Sequence, residues 1–277
     1  MAVGERLSPP DKLKQEHTTI RDVGRWYDKI MYIPESDKRY GGSDFWNYGY
    51  WEPATRTLSE ACQNLMERLL AFIPKKEGTI LDVACGKGAT TRHLLNYYRP
   101  EDVVGINISK KQLETCKINA PGCKFLLMDA TELAFKDNCF DNIICVEAAL
   151  HFNTREEFLR QALRILKPRG RLVLSDVLRT TNINQASPLI PAKNYVRTPA
   201  EYRAICLRAG FEQVQILDRT RQCWGEFYRH SVLYLRNKLV HGGINELTFR
   251  QRMGSLAEKR ATIGYYVLVS ASKAELH

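Results

Sequence analysis

From Ile80 to the last apolar run ending at Ala271, short apolar stretches alternate with segments whose apolar positions recur every three or four residues, the two periods that mark strands and helices. Ile80 to Ala84 predicts a strand, Thr90 to Tyr98 a helix, Val103 to Ile108 a strand, Lys110 to Asn119 a helix and Lys124 to Met128 a strand, giving one βαβαβ half. A second series follows. Phe140 to Val146 predicts a strand, Arg155 to Leu166 an amphipathic helix closed by Lys167-Pro168-Arg169-Gly170, and Arg171 to Val177 a strand. Thr198-Pro199-Ala200-Glu201 marks a helix start with Pro in its first turn, leading through Ala209-Gly210 into a strand at Phe211 to Leu217. Gly264 to Ala271 is the final strand. Strands alternating with helices of these lengths predict an α/β fold with a mostly parallel sheet and helices on both faces.

Two pieces break the alternation. Residues 1–78 are rich in aromatics around Arg25-Trp26-Tyr27-Asp28 and Ser43 to Trp51, and residues 220–262 hold two helical stretches, Gly225 to Val240 and Leu247 to Arg260, separated by Gly242-Gly243. Ligands of open α/β sheets bind at the carboxyl ends of the strands, where added segments can close a pocket. The expected organisation is therefore an N-terminal helical and aromatic cap (1–78), a core (79–219 with 263–277) and a helical substrate cap inserted before the last strand (220–262).

Composition narrows the class. With 277 residues and 44% apolar content the chain can build a substantial core. No run approaches the roughly 18 apolar residues of a membrane span, and charges interrupt the first thirty positions, so the expectation is a cytoplasmic protein. The eight cysteines are scattered without a Cys-x-x-Cys pair, which predicts buried reduced thiols and no zinc. The net charge of +10 is concentrated: residues 218 to 260 hold nine Lys/Arg against four Asp/Glu. That face is either simply solvated or meets an acidic partner, but no run of five or six like charges supports a nucleic-acid arm.

The chemistry centres on Thr79 to Leu95, an apolar strand with Asp82 near its end, then Gly86 and Gly88, then a helix. Small residues there let backbone amides approach a ligand at a helix N-terminus. A dinucleotide dehydrogenase would show Gly-x-Gly-x-x-Gly and an acidic residue after the second strand, but Thr91 and Asn107 occupy those positions. The Gly-x4-Gly-Lys-Ser/Thr spacing of a phosphate loop is absent as well.

From about Trp26 to Ser272 the chain resembles class I S-adenosylmethionine-dependent methyltransferases. The matching stretches are Leu81-Asp82-Val83-Ala84-Cys85-Gly86-Lys87-Gly88, Val104 to Ser109 with Gln112, Met128-Asp129-Ala130, Phe135 to Asp141, Glu147 to His151, and Leu166 to Asp176. Tyr27-Asp28 and Asn47-Tyr48-Gly49-Tyr50-Trp51 further resemble the small-molecule subgroup that includes tocopherol, phosphoethanolamine, sugar and macrolide tailoring enzymes. The family usually has Gly at Ala84 and an acidic residue at Asn107.

The resemblance implies a Rossmann-like seven-stranded sheet of order 3-2-1-4-5-7-6 with the last-formed strand antiparallel. It assigns Asp82, Gly86 and Gly88 to the amino-acid end of S-adenosylmethionine, with Ala84 and Cys85 also cofactor-binding and S-adenosylhomocysteine as product. It assigns Asn107, Ile108 and Gln112 to ribose and adenine, and Asp129 with Ala130 to the adenine edge. Tyr27 and Trp51 are candidates to cover the sulfonium by cation–π attraction, with core packing as the alternative. Glu147 either faces the cofactor's ammonium or is structural. His151 is the candidate general base and Asp176 its candidate partner; the alternatives are a helix-orienting or cofactor-contacting role for His151 and a structural role for Asp176. No metal is required.

The expected reaction is O-methylation of a small secondary metabolite, with N- or C-methylation, or a weakly catalytic cofactor-binding protein with an acidic partner, as alternatives. Trp224, Phe227, Tyr228, Tyr234 and Phe249 predict a roomy aromatic cap, whose positive charge is compatible with a carrier-bound or phosphorylated acceptor.

Overall fold

The computed structural model describes residues 22–179 and 189–275. Seven strands form one sheet: β1 (Ile80–Val83), β2 (Val103–Asn107), β3 (Lys124–Leu127), β4 (Phe140–Val146), β5 (Leu166–Arg179), β6 (Glu212–Asp218) and β7 (Ile263–Ser272). Their order is 3-2-1-4-5-7-6, as expected. The pairings from β3 across to β5 are parallel, and β7 is inserted antiparallel between β5 and β6.

All four residues of β1 are buried, as a central strand covered on both faces requires. Side chains alternate between two apolar layers: Ile80, Val173 and Leu268 enter one, while Leu81, Leu172, Val267 and Val269 enter the other. The first layer is filled by α3 (Leu58–Leu70), whose Leu65, Met66 and Leu69 are fully buried. The second is filled by α6 (Arg155–Ile165) and α7 (Pro199–Arg208). Helix starts follow local chemistry. Thr57 and Glu60 form a reciprocal capping box at α3, and Thr154 and Thr198 accept from the third helical N–H of α6 and α7.

After β1 the chain winds out through α4 (Ala89–Leu94), β2, α5 (Lys110–Asn119) and β3, then returns to β4 on the other side of β1. This reversal opens a crevice at the carboxyl ends of β1 and β4. Over it lie a helix spanning residues 22–30 (α1), α2 (Pro34–Arg39), and the pair α8 (Glu226–Val240) and α9 (Glu246–Thr262).

Three boundaries differ from the sequence expectation. The residues Lys167 to Gly170 do not close a turn before β5; they are a bulge inside it. Leu166 already pairs with Phe140, and the bend is absorbed by Arg169 at φ +63° and by Gly170, whose Cβ would lie 2.7 Å from the Lys167 carbonyl oxygen. Helix α4 stops at Leu94 instead of Tyr98, because the Leu95, Asn96 and Tyr97 N–H groups donate three residues back, to the Arg92, His93 and Leu94 carbonyls, and tighten the last turn. Ahead of α8, residues Arg221–Gly225 form a π-turn, in which the Gly225 N–H reaches back to the Thr220 carbonyl and Cys223 and Trp224 are buried.

All eight cysteines are free thiols. Among the described residues no helix is long and apolar enough to cross a membrane.

Ala84, immediately after β1, sits at φ +57°, in the left-handed region that costs an L-residue with a Cβ about 1–2 kcal/mol. Replacing it with glycine relieves that strain, offset in part by greater freedom of the unfolded chain. Ala84→Gly is expected to raise the urea midpoint by the equivalent of about 1 kcal/mol; an unchanged or lowered midpoint would show that the turn is not strained.

Candidate active site

The crevice opens into a cavity of about 610 Å³. The sheet contributes Ala84 and Gly86 after β1, Asn107 and Ile108 at the end of β2, Asp129 and Ala130 after β3, Glu147 and His151 after β4, and Arg179 at the end of β5. The caps contribute Tyr27, Met31, Arg39, Trp46, Tyr48, Phe227 and Lys259.

Of the residues singled out in the sequence, Tyr27, Ala84, Gly86, Asn107, Ile108, Gln112, Asp129, Ala130, Glu147 and His151 share this cavity. Asp82, Cys85, Gly88, Trp51 and Asp176 do not line it. Asp82 is buried behind the turn, where its carboxylate accepts from the Thr90 hydroxyl (2.7 Å) and the Thr91 hydroxyl (2.6 Å), fastening the start of α4 to β1. Burial pushes it up to about 6. Gly88, at φ +88°, is held to glycine by packing, since a Cβ would lie 2.9 Å from Cys116 Cα on α5. The Cys85 thiol faces the same helix, with its Sγ 3.8 Å from that of Cys116.

Trp51 donates its indole N–H to the Tyr48 carbonyl (2.9 Å) and stacks on His230 at 3.7 Å between ring centroids. Asp176 has no exposure, and its carboxylate is taken by the buried Arg155 guanidinium (Nε to Oδ2 2.7 Å), which also donates to the Val177 carbonyl (3.1 Å). Of the predicted cap aromatics, Phe227 lines the cavity and Tyr234 a neighbouring one, while Trp224 is core.

One edge of the cavity is a fixed polar network. Asp28 of α1 accepts from the Ser109 hydroxyl (2.5 Å) and the Gln112 amide (2.8 Å). Gln112 in turn accepts from the Asn107 amide (3.0 Å), whose second N–H goes to the Gly86 carbonyl (3.1 Å). The Ser109 N–H donates to Asn107 Oδ1 (3.1 Å), which fixes the amide orientation and leaves that oxygen one further acceptor position. Beside it Ile108 stays 37% exposed, an apolar face turned to the cavity. Asp129 spends Oδ1 on the Thr131 N–H (2.7 Å) and hydroxyl (2.8 Å). An acceptor oxygen, an apolar face and a carboxylate in sequence along β2 and β3 match the hydroxyls, ring face and amino edge of an adenosine.

The opposite edge carries buried titratable side chains. His151 Nδ1 lies 2.7 Å from the Leu189 carbonyl oxygen, which can only accept, so Nδ1 carries the hydrogen and Nε2 the lone pair. The Tyr27 hydroxyl sits 2.8 Å from Nε2 and donates to it. Burial pulls His151 down to about 4, so the ring is neutral in the physiological range. Burial raises Tyr27 well above the usual phenol value. Glu147, at φ +52°, receives the Tyr48 N–H (2.7 Å) and the Tyr266 hydroxyl (2.5 Å) on one oxygen, yet burial still pushes it up to about 8. Among the described residues no group of three His, Cys, Asp or Glu is placed to hold a metal.

Sequence reasoning did not single out Asp28, Arg39, Arg179 or Lys259 as site residues. Only the Tyr27-Asp28 pairing carried a usable signal for any of them; the three cations come from α2, β5 and α9, and only the fold brings them together.

Residues 81–174 match the family described as methyltransferase domain. The 27-O-demethylrifamycin SV methyltransferase of Amycolatopsis mediterranei is 33% identical over 173 residues, which are 58% of this chain and 60% of that protein. The alignment thus spans less than two thirds of that relative's length. The erythromycin 3''-O-methyltransferase of Saccharopolyspora erythraea is 28% identical over 82% of this chain and 83% of its own. Among solved structures, the 4+2 cyclase SpnF superposes with a TM-score of 0.72 at 20% identity, covering 93% of this chain and 98% of that one, a likeness of fold.

The buried Glu147 makes stability depend on pH. Its folded value near 8 lies above the usual 4.5, so the folded state holds a proton that the unfolded state releases across that interval, and rising pH removes stability there. Relative to Glu147→Gln, which keeps the acceptor oxygen and cannot ionise, the native protein is expected to lose stability steadily from pH 4.5 to about 8 and to run parallel above it. Urea melts of both proteins across that range check this; parallel curves throughout would mean that the carboxyl ionises freely.

Proposed function

Because the chain belongs to the class I S-adenosylmethionine-dependent methyltransferases, we propose that it methylates a hydroxyl of a small secondary metabolite, with His151 as the general base acting through Tyr27. The observation that carries this reading is the hydrogen-bonded chain from the Leu189 carbonyl through His151 to the Tyr27 hydroxyl, which ends in the cavity. The named relatives that methylate oxygen in rifamycin and erythromycin support the choice of acceptor.

The cofactor's residues are present. Gly86 backbone at φ +56°, Asn107 Oδ1, the Ile108 face and Asp129 would hold the amino-acid end, ribose and adenine of S-adenosylmethionine, and Glu147 stands near the first of these along the sheet. When bound, that molecule supplies an activated methyl on a sulfonium, so the protein is left to align the acceptor, exclude water and take a proton.

Proton removal follows from the tautomer. An acceptor hydroxyl within reach of Tyr27 donates to the phenolic oxygen as Tyr27 donates to Nε2, and the proton ends on His151 while the phenol stays neutral. A weakly basic imidazole suffices, because an oxygen gaining a methyl becomes strongly acidic as the C–O bond forms. The Leu189 carbonyl holds the ring in orientation, and Asp176, through its charge, favours the protonated ring. Its ion-pair partner Arg155 and the Arg179 guanidinium oppose that effect, so the part left to Asp176 is to position Arg155 between α6 and β5.

Residues 1–78 and 220–262 serve in this reading as caps that shape an aromatic acceptor pocket with Trp46, Tyr48 and Phe227. The free thiols support a reducing, cytoplasmic setting.

Calorimetry with S-adenosylmethionine and S-adenosylhomocysteine, followed by turnover on a panel of hydroxylated acceptors, tests the proposal. His151→Ala is expected to lower turnover by about 10² or more, and Tyr27→Phe by a similar order, with S-adenosylhomocysteine affinity little changed. Unchanged turnover in His151→Ala would remove the general base; failure to bind either cofactor form would remove the methyltransferase reading.

A further inference from the structure

The end of the main cavity away from β3 is strongly positive. Arg39 of α2, Arg179 at the end of β5 and Lys259 of α9 all line it, and Arg39 and Lys259 also line a smaller cavity of about 390 Å³ between α2, α8 and α9. Cations gathered in a concave wall normally bring their own carboxylates. None of these three makes an ion pair among the described residues.

The nearby acids are otherwise engaged. Glu35, in the smaller cavity, is held by Lys238 and lies 3.9 Å from Arg252. Glu147 is held toward its neutral form by burial. Asp129 lies beyond β3, across β2, β1 and β4 from the end of β5.

Arg179 carries the second observation. Its Nε is buried and has no hydrogen-bond partner among the described residues. A buried guanidinium N–H without a partner carries an uncompensated desolvation cost, which an oxyanion aimed at it would offset. Arg39 is braced for a similar role: its guanidinium lies over the Phe227 ring at 4.7 Å and one arm donates to the Ser231 hydroxyl, with no further side-chain hydrogen bond among the described residues. Lys259 opens to solvent at the mouth, and its ammonium is pulled below the ordinary lysine value first by the surrounding protein and then by repulsion from Arg39 and Arg179.

We propose that this end of the cavity is an oxyanion subsite, in which Arg39, Arg179 and Lys259 receive a carboxylate or phosphate group carried by the methyl acceptor. The inference rests on the methyltransferase reading and narrows its acceptor class. Guanidinium groups bind both oxyacids through paired N–H donors, and Lys259 adds a mobile point charge at the entrance. Arg179 also lies within electrostatic reach of Tyr27, Tyr48 and His151, so the anionic group sits close to the hydroxyl that gains the methyl. A cationic methyl donor in the same cavity adds to the attraction, and an anionic acceptor neutralises both.

The test is calorimetry on the full protein, with and without S-adenosylhomocysteine, using inorganic phosphate, 4-hydroxybenzoate and its neutral amide as probes. Either phosphate or 4-hydroxybenzoate is expected to bind, the carboxylate about tenfold or more tighter than the amide if the natural group is a carboxylate. Arg179→Gln and Lys259→Gln should each weaken the bound anion about tenfold, with S-adenosylhomocysteine affinity unchanged. The Lys259 variant, at an exposed position, keeps the test independent of any folding defect in the Arg179 variant. Phosphate binding alone identifies a phosphorylated acceptor, and carboxylate binding alone an acidic one. Absence of binding by both anions, equal affinity of carboxylate and amide without phosphate binding, or affinities untouched by both substitutions would overturn the subsite. Loss of S-adenosylhomocysteine binding with anion binding intact would strike the methyltransferase reading and leave the subsite standing.

Discussion

Everything at the site depends on the reversal of strand order beside β1. Because β2 and β4 lie on opposite sides of β1, the connections leave in opposite directions and cannot cover the gap between them. Carboxyl-end backbone groups and side chains of several strands therefore face a common hollow, which only segments from outside the alternation can roof. The roof is made by α1, α2, α8 and α9, and it is held by polar ties: Tyr27 to His151, Asp28 to Ser109 and Gln112, Arg39 to Ser231, and Glu35 to Lys238. Apolar burial alone would let these helices slide; directional bonds fix where they sit.

The sheet was legible because its signal is local and repeated. Alternation of side chains along β1, β5 and β7 between two apolar layers is the period-2 pattern written in the sequence, and Thr154, Thr198 and Pro199 announce their helices by chemistry that needs no tertiary partner. The bulge at Arg169 and Gly170 was less so, since the same residues that make a turn also bend a continuous strand, and the difference lies in pairing with β4. Site residues divide the same way. Gly86, Asn107, Asp129, Glu147 and His151 stand at strand ends, where position follows from the pattern. Asp82 and Asp176 stand in equivalent stretches, but their side chains point into the protein, and only the Thr90, Thr91 and Arg155 contacts reveal what they do there; Gly88 is fixed by the close approach of Cys116. The three cations of the proposed subsite come from separate elements and carry no motif.

Burial sets the charge of the hollow more than composition does. His151 and Glu147 are both driven to their neutral forms by loss of solvent, although one is a base and the other an acid. Solvent screens the charges on the outer faces of the cap, whereas Arg179, whose buried Nε has no partner among the described residues, acts on Tyr27, Tyr48 and His151. The chain's net charge of +10 is therefore a poor guide to the site, and the placement of single groups is a good one.

Tyr27 and Asp28 are neighbours on one short helix, yet they reach different ends of the hollow: the first meets the imidazole, the second the Ser109 hydroxyl and Gln112 amide beside Asn107. A rigid rod cannot let go of one without loosening the other. A shift of α1 would therefore open both edges of the hollow at once, wetting the imidazole and releasing the Ser109 and Gln112 side chains in a single movement.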